Sequence, residues 1–211
     1  MSPRIKICGI TRVEDARMAW AAGADALGLN FYPRSSRYVV PEVAAALART
    51  RPALGAVVGV FVNAAPEHIR EVVRTCALTA VQLHGDEPPE ACADYGVPVI
   101  KALRVRSAED VTRARAYVGV GDVTALLLDG AAPGYGGGGV GFDWSLVAGL
   151  ADVGVPVLVA GGLNPANVAE AVRATRPYGV DVASGVETRP GIKDADAVRA
   201  FVRAARSLSP P

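Results

Sequence analysis

Short runs of apolar, β-forming residues alternate with segments of helical hydrophobic period from one end of the chain to the other. About eight such runs can be counted. Most are apolar at every position, which is typical of parallel strands covered on both faces. The predicted strands are Ile5–Cys8, Ala26–Phe31, Ala56–Phe61, Ala80–Leu83, Val97–Ala102, Ala125–Asp129, Val155–Ala160 and Gly179–Ala183.

Several of the intervening segments carry signals for a helix start. Thr11 followed by Glu14 has the pattern of a capping box, in which the two side chains satisfy backbone N–H groups of the first turn. A later helix is expected to start near Asn164-Pro165, and the last helix to run from about Asp194 to Ser207. Prolines that suit first-turn positions, where the missing N–H is not needed, are Pro41, Pro66 and Pro88.

Alternating βα units without a break favour an α/β protein of one domain, a closed (β/α)8 or TIM barrel. Local patterning leaves an open, doubly wound sheet as the alternative. The barrel is expected to span residues 1–207, with a short polar tail at 208–211. The glycine-rich stretch 134–141 lies inside the sixth unit, so we predict a mobile loop there, not a linker between domains.

Composition and charge narrow the class of protein. With 51% hydrophobic and 20% charged residues the chain has the make-up of an ordinary globular domain. The net charge is +1 and the basic residues are dispersed, so nucleic acid is not an expected partner. No apolar stretch is long enough to span a bilayer, and no signal peptide is recognisable, so we expect no membrane association and a cytoplasmic location.

The cysteines give no disulfide or metal signature. There are three, with no close pair and no metal-ligand spacing, so reduced thiols and no metal site are expected. Cys76 and Cys92 lie on predicted helices and are interpreted as structural. Cys8 differs because it ends the first predicted strand, and active sites of (β/α)8 barrels lie at the carboxyl ends of the strands.

Period-two alternation places Lys6 and Cys8 on one face of the first strand and two isoleucines on the face toward the helices. If Lys6 and Cys8 point inward, the lysine charge would lower the thiol pKa and make a thiolate available as a base. Closure of the barrel would bring strand eight beside strand one, so we predict that Asp181 pairs with Lys6. The competing interpretation is that Cys8 is a small buried hydrophobic residue.

Asp129 ends the sixth predicted strand after an apolar run. Apolar surroundings would raise the pKa of Asp129 and allow it to donate a proton, although an aspartate before Gly130 can also serve a turn. Isomerisation of an aldose to a ketose needs an acid at the ring oxygen and a base at C2. Cys8 and Asp129 together would supply that pair.

Glycine-rich loops follow the last two predicted strands, in residues 160–165 and 183–187. Barrels commonly hold phosphate at these two positions, where glycine lets backbone N–H groups approach the oxygens. The alternative is that these are simple connections between elements. The residues expected at the phosphate are Gly161, Gly162, Asn164, Ser184 and Gly185.

The loop after the second strand carries two arginines, Arg34 and Arg37, beside tyrosines. A guanidinium can bind a carboxylate with two hydrogen bonds or stack on a ring, which suits an aromatic carboxylate, although a solvated basic loop would have the same composition. His84 ends strand four together with Gln82 and is kept as a secondary site residue.

Taken in order, the motifs of this chain resemble those of the phosphoribosylanthranilate isomerase family over nearly its whole length. Single motifs of this kind can arise by chance, whereas the ordered set is specific. The matching segments are Lys6–Thr11, Gly59–Asn63, Val81–Glu87, Leu127–Asp129, Phe142–Trp144, Gly161–Pro165 and Asp181–Glu187.

The resemblance implies an Amadori rearrangement of N-(5-phosphoribosyl)anthranilate in tryptophan biosynthesis, without metal or organic cofactor. Asp129 would protonate the furanose oxygen and open the ring to a Schiff base. Cys8 would then remove the C2 proton to give an enolamine that tautomerises to the ketone. Arg37 would hold the anthranilate carboxylate, and the protein would act as a monomer or homodimer.

Two departures from the family pattern affect ligand contacts. Gly138 and Val140 stand where the family usually has a hydroxyl residue and a lysine, which predicts weaker substrate binding through a less ordered loop. Ala160 and Ala183 stand where serine is frequent, which removes hydroxyls but leaves the backbone donors.

Other functions remain open from the residues alone. A histidine-pathway aminoaldose isomerase shares the phosphate loops but would place aspartate at Cys8. A ribulose-phosphate epimerase would need metal-binding histidines, and this chain has only His68 and His84. A phosphosugar-binding or redox-sensing barrel would use Cys8 as a reactive thiol but would not need Asp129.

Overall fold

The computed structural model describes residues 2–130 and 153–207. Eight parallel strands follow one another around a closed barrel, so the predicted (β/α)8 barrel is confirmed and the open sheet was the wrong alternative. Both the glycine-rich stretch 134–141 and the tail at 208–211 lie outside the described residues. The barrel strands are β1 Arg4–Cys8, β2 Ala26–Asn30, β3 Ala56–Phe61, β4 Ala80–Leu83, β5 Val99–Val105, β6 Val123–Gly130, β7 Val157–Ala160 and β8 Gly179–Val182.

The barrel closes between β1 and β8, in a register that sets Lys6 opposite Asp181. Ile5 and Ile7, on the other face of β1, are fully buried in the large core cluster shared by strands and helices. Their burial is the outcome that period-two alternation predicts. β1 therefore presents its polar side chains to the barrel interior and its apolar ones to the helices.

The helices are shorter and less regular than the sequence pattern suggests. In the fourth unit the described helix is a single 3-10 turn, Pro89–Ala91. In the fifth unit the helix Ala108–Ala114 continues into another such turn, Arg115–Tyr117. Within residues 2–130 and 153–207 the α-helices are α1 Val13–Ala22, α2 Pro41–Ala48, α3 Pro66–Thr75, α4 Ala108–Ala114, α5 Val168–Thr175 and α6 Ala195–Arg206. None of the helices in the described part of the chain is long and apolar enough to cross a membrane.

Some predicted helix starts are confirmed. Pro41 and Pro66 occupy the first turns of α2 and α3. Pro88 instead precedes a 3-10 turn that begins at Pro89. Asp194 caps α6, where its carboxylate accepts hydrogen bonds from two backbone N–H groups of the first turn.

Two predicted helix starts are wrong. α1 begins at Val13 without a side-chain cap, because the Thr11 hydroxyl donates instead to the backbone oxygen of Gly191. α5 begins at Val168, and the preceding residues form a turn in which the Asn164 carboxamide oxygen accepts the N–H of Ala166. At α1 a contact outside the helix uses the side chain that the sequence assigned to the cap. At α5 a local turn at Asn164 delays the start of the helix.

A small antiparallel hairpin after β8 was not predicted. It pairs β9 Glu187–Arg189 with β10 Ile192–Lys193. A 3-10 turn, Ser184–Val186, joins β8 to this hairpin. The hairpin brings Glu187 and Lys193 to the end of the barrel at which the strands finish.

Candidate active site

A cavity of about 360 Å³ opens at the carboxyl ends of the barrel strands. It collects side chains from both ends of the chain, since β1, β6, β7 and β8 all end there. Of the residues predicted for the site, those that line the cavity are Cys8, Arg37, His84, Asp129, Gly161, Gly162, Asp181 and Ser184.

Three predicted site residues are not among those that line the cavity. Lys6 is 2% exposed and sits inside the barrel, where its ammonium donates to Asp181 over 2.9 Å. Asn164 is engaged within its own loop, where its amide N–H lies 3.5 Å from the backbone oxygen of Gly162. Gly185 packs against the backbone of Leu163, so closely that a Cβ atom there would overlap the Leu163 carbonyl oxygen.

Burial and the Lys6 charge have opposite effects on the pKa of Cys8. Burial is the largest influence and raises the pKa of the Cys8 thiol, and the Lys6 charge offsets this only in part. Lys6 therefore lowers the thiol pKa as predicted, but burial outweighs this effect and the pKa is raised overall. Burial also disfavours a charged Lys6, but Asp181 and Cys8 together outweigh this effect and raise the pKa of that lysine. Lys6 thus stays protonated beside a thiol that is itself mostly neutral at pH 7.

Gly28 on β2 makes room for this pair of side chains and was missed from the sequence. A Cβ atom at position 28 would lie 2.6 Å from Cys8 Sγ and 3.0 Å from Lys6 Nζ. Only a residue without a side chain fits there. The available signal was a glycine inside an apolar strand, which often marks a close approach of another group.

Asp129, the last residue but one of β6, contacts His84 across the mouth of the barrel. Its Oδ2 lies 3.2 Å from His84 Nε2, and Nδ1 of the same ring lies 2.9 Å from Gln82 Nε2. The Asp129 and His84 side chains are 16% and 20% exposed, so both remain accessible from the cavity. His84 is therefore a direct neighbour of the predicted acid.

Arg37 is held by a carboxylate that the sequence did not connect with it. Glu187 accepts two hydrogen bonds from the Arg37 guanidinium, at 2.9 and 2.6 Å, and a third from Lys193 at 2.7 Å. Burial opposes ionisation of Glu187, but the hydrogen bonds from Arg37 and Lys193 outweigh it, and the pKa of Glu187 is lowered. Burial lowers the pKa of Lys193 despite this carboxylate.

The arginine also packs on a glycine. A Cβ atom at Gly9 would overlap the Arg37 side chain, so the guanidinium stem runs directly across the end of β1. Nothing in the sequence could pair Arg37 with Glu187, because 150 positions separate them and the hairpin carrying Glu187 was not predicted. Lys193 was missed for the same reason.

The two glycine-rich loops contact each other at the cavity. Gly161 and Gly162 have positive φ angles of 91° and 66°, which only glycine adopts readily. A Cβ atom at Gly161 would overlap the backbone of Gly130 and lie 2.8 Å from Asp129 Oδ1. The loop after β7 therefore packs directly on the acid at the end of β6.

The polar groups of the site are those of acid–base chemistry. They comprise a thiol beside an ammonium, a carboxyl group beside an imidazole, an arginine and backbone N–H groups. Among residues 2–130 and 153–207, no group of three or more His, Cys, Asp or Glu side chains lies close enough together to hold a metal ion. The predicted changes at Gly138 and Val140 fall outside the described residues.

Comparison with known proteins agrees with this site. The family model for N-(5'-phosphoribosyl)anthranilate (PRA) isomerase matches residues 5–204. An N-(5'-phosphoribosyl)anthranilate isomerase of Myxococcus xanthus is 78% identical over 209 residues, which is 99% of each chain.

Solved structures show the same relationship. A phosphoribosyl anthranilate isomerase from Thermotoga maritima is 45% identical with a TM-score of 0.92, over 98% of this chain and 100% of the other. A second such isomerase, in complex with reduced 1-(o-carboxyphenylamino)-1-deoxyribulose 5-phosphate, is 43% identical with a TM-score of 0.88 over the same shares. On the strength of the sequence match, the shared barrel and the residues at its mouth, the chain belongs to the N-(5'-phosphoribosyl)anthranilate isomerase family.

Proposed function

We propose that this chain converts N-(5-phosphoribosyl)anthranilate to 1-(2-carboxyphenylamino)-1-deoxyribulose 5-phosphate, a step of tryptophan biosynthesis, with Cys8 as general base and Asp129 as general acid. The isomerase activity follows from membership of the family. The observation that carries the two catalytic roles is that Cys8 and Asp129, from opposite sides of the barrel, line one cavity.

In the first step Asp129 gives a proton to the furanose oxygen, the C1–O bond breaks, and the nitrogen lone pair forms the Schiff base. In the second step Cys8 removes the proton from C2, and the electrons of that bond move toward the nitrogen to give an enolamine. Tautomerisation to the ketone completes the reaction. Since C2 is oxidised and C1 reduced within one molecule, the steps need no external oxidant or reductant.

The arrangement around Cys8 supports its role as the base. The reactive form is the thiolate, and burial makes that form costly. The Lys6 ammonium, fixed by Asp181, supplies a positive charge that partly offsets this cost. Lys6 and Asp181 therefore support the catalytic base without touching the reacting carbons.

Arg37 is proposed to bind the anthranilate carboxylate. A guanidinium carries five N–H donors, and two of them are used by Glu187, through Nε and one Nη2 proton. Glu187 fixes the plane of the guanidinium at the cavity wall, where a second planar carboxylate can be bound. His84 and Arg34, which also line the cavity, lie within the same site.

The two glycine-rich loops are proposed to bind the phosphate through backbone N–H groups. Consecutive positive φ angles at Gly161 and Gly162 turn the chain so that neighbouring N–H groups can converge on an anion. Ser184 contributes from the facing loop. Gly185 permits the close approach of the loops, and Asn164 keeps the first loop in shape through its hydrogen bonds.

The experiment is an assay of the purified protein for loss of anthranilate-type fluorescence with freshly generated substrate. Cys8→Ala and Asp129→Ala should each lower kcat by about 10²- to 10⁴-fold, because each removes one partner of the acid–base pair. Cys76→Ala is the matched control, since Cys76 is buried and hydrogen-bonds to the backbone of Pro41.

Two outcomes would contradict the proposal. If the folded parent protein does not turn over the substrate, the assigned reaction is wrong. If only one of the two variants loses activity, the pair is misassigned and His84 becomes the candidate for the missing role.

The same preparation, measured by light scattering, distinguishes the monomer from the homodimer.

A further inference from the structure

The side chains of Gln82, His84 and Asp129 form a continuous hydrogen-bonded row from the barrel interior to the cavity. Gln82 lies within β4 and is fully buried, and His84, directly after β4 and two residues after Gln82, lies on the same face. The distances between the hydrogen-bonded atoms along the row are 2.9 Å from Gln82 to His84 and 3.2 Å from His84 to Asp129. The row ends on the oxygen atom Oδ2 of Asp129.

The loop that begins at His84 is anchored from behind. Glu87, 7% exposed, accepts the N–H of Gly85 and forms a buried ion pair with Lys101 at 2.7 Å. The Lys101 ammonium also donates to the backbone oxygen of Gly85. Because the backbone next to His84 is fixed on two sides, the ring has little freedom to leave Asp129.

The chemistry of the amide determines the state of the imidazole. The amide nitrogen of Gln82 can only donate, so His84 Nδ1 must accept and the ring proton lies on Nε2. His84 Nε2 then donates to Asp129 Oδ2. An oxygen that already accepts this hydrogen bond is the wrong place for the proton that Asp129 transfers.

The other carboxyl oxygen is suitably placed for that proton. Asp129 Oδ1 lies beside Gly161, whose missing side chain leaves it uncovered, and Gly161 lines the cavity. We propose that His84, held by Gln82 as the Nε2–H tautomer, is a positioning residue that keeps the transferable proton of Asp129 on Oδ1. The proposal rests on the acid role of Asp129 given above.

The proton balance of the step is simple. The Oδ1–H bond of Asp129 breaks as the proton passes to the furanose oxygen, and the electron pair stays on the carboxylate. The His84 N–H, already directed at Oδ2, stabilises the negative charge as it forms. His84 itself neither gains nor loses a proton.

The reverse orientation of the Gln82 amide is the competing arrangement. Gln82 Oε1 is buried and has no hydrogen-bond partner among the described residues. Rotating the amide by 180° would therefore break no hydrogen bond of that oxygen. With Oε1 toward the ring, the proton would lie on Nδ1, and Nε2 could only accept from a protonated Oδ2. The two arrangements place the acidic proton on different oxygens and can be distinguished.

Long-range ¹H–¹⁵N correlation of the imidazoles, at a pH where both rings are neutral, reads the tautomer directly. The chain has two histidines, and His68 is exposed, so a His68→Gln variant assigns the signals. We expect Nε2–H at His84 in the parent. In Gln82→Glu a carboxylate, which only accepts, should move the proton to Nδ1 or protonate both nitrogens. An Nδ1–H parent, or an unchanged Gln82→Glu spectrum, would overturn the proposal.

Kinetics supply the second readout. The amide nitrogen of glutamine can take the place of Nε2, whereas asparagine reaches only to about Nδ1. His84→Asn should therefore lower kcat roughly tenfold or more with little change in KM, and His84→Gln should recover most of the loss. Equal losses in the two folded variants, or a change in KM alone, would contradict a role in proton placement.

These experiments separate the inference from the function on which it rests. If Asp129→Ala stays active, the acid role fails, whereas the NMR measurement still reports the His84 tautomer. If Asp129→Ala is inactive and His84 carries its proton on Nδ1, the acid role stands and the present inference is wrong.

Discussion

At the scale of single residues, Cys8 lies between two opposite charges. Lys6 favours its thiolate, whereas Asp181, the partner of that lysine, disfavours it. Both act across a buried space in which solvent screens little. The Lys6–Asp181 ion pair therefore affects the ionisation of Cys8 through two opposite charges.

This arrangement predicts opposite shifts for two substitutions. Asp181→Asn removes the negative charge and leaves the lysine, so the thiol should ionise at lower pH. Lys6→Met removes the positive charge, so the thiol should ionise at higher pH. Since the thiolate is the nucleophile, the midpoint of iodoacetamide alkylation against pH reports each shift.

The measurement is made in a Cys76→Ala, Cys92→Ala background, so that Cys8 is the remaining thiol. Shifts of the two midpoints in the same direction would contradict the assignment of the charges. Lys6→Met can also lower stability, because it leaves Asp181 buried without its partner. A melting curve of each variant therefore accompanies the titration.

The thiol also shows where reasoning from residues stops. The alternation along β1 was sufficient to predict that Lys6, Cys8 and Asp181 come together. The net direction of the thiol pKa was not predictable, because it depends on how much burial outweighs a neighbouring charge. That balance is set by the closed barrel and by the space left at Gly28.

At the scale of elements, the loop after β7 requires glycine at position 161. A side chain there would need a φ of 91° and would meet Asp129 Oδ1 and the backbone of Gly130. Gly96 is a matched comparison, since it has a φ of 74° and an added Cβ atom would find nothing within 4 Å. A side chain at position 161 would combine backbone strain with steric overlap, whereas a side chain at position 96 would meet backbone strain alone.

Gly96→Ala should therefore lower the free energy of unfolding by about 1 kcal/mol and leave activity intact. Gly161→Ala should cost more and should also lower kcat, because the added methyl group displaces Asp129. Denaturant unfolding and steady-state kinetics measure the two effects. Equal stability losses with full activity in both variants would show that the loop does not position the acid.

The apolar strands of the barrel could be predicted from the sequence, whereas the short polar strands could not. All eight barrel strands were found from apolar runs, most of them continuous, although β5 and β6 extend beyond the predicted bounds. The β9–β10 hairpin was missed because its strands have three and two residues and a polar sequence. The cap predicted at Thr11 failed because its side chain contacts the backbone of Gly191, elsewhere in the fold.

At the scale of the whole molecule, ion pairs join the two ends of the sequence around the site. Lys6 pairs with Asp181, and Arg37 pairs with Glu187. An ion pair of this kind can be predicted from the sequence only where barrel closure determines which strands are neighbours, as it does for β1 and β8. The second pair depends on a loop and a hairpin whose positions no local pattern specifies.

The lowered pKa of Glu187 predicts a pH-dependent contribution to stability. Its carboxylate ionises more readily in the folded protein than at its ordinary value of 4.5, so its contribution is complete above that pH. The contribution declines as the pH falls below 4.5 and is lost once the folded protein also binds the proton.

Glu187→Gln should therefore lower the melting temperature at pH 7, by an amount corresponding to roughly 3 kcal/mol for a broken buried ion pair. The gap between parent and variant should narrow as the pH falls below 4.5. A gap that is constant with pH would mean that the charge of Glu187 does not contribute. Asp196→Asn is the control, because its ion pair with Arg199 is exposed.

The 175 positions between Lys6 and Asp181 have a consequence for biosynthesis. A nascent chain that has emerged through β7 already carries Cys8, Arg37 and Asp129, but not the two carboxylates that hold Lys6 and Arg37. Chains released early by the ribosome therefore lack an assembled site. Catalytic competence arrives only when β8 has paired with β1 and the hairpin has brought Glu187 to Arg37.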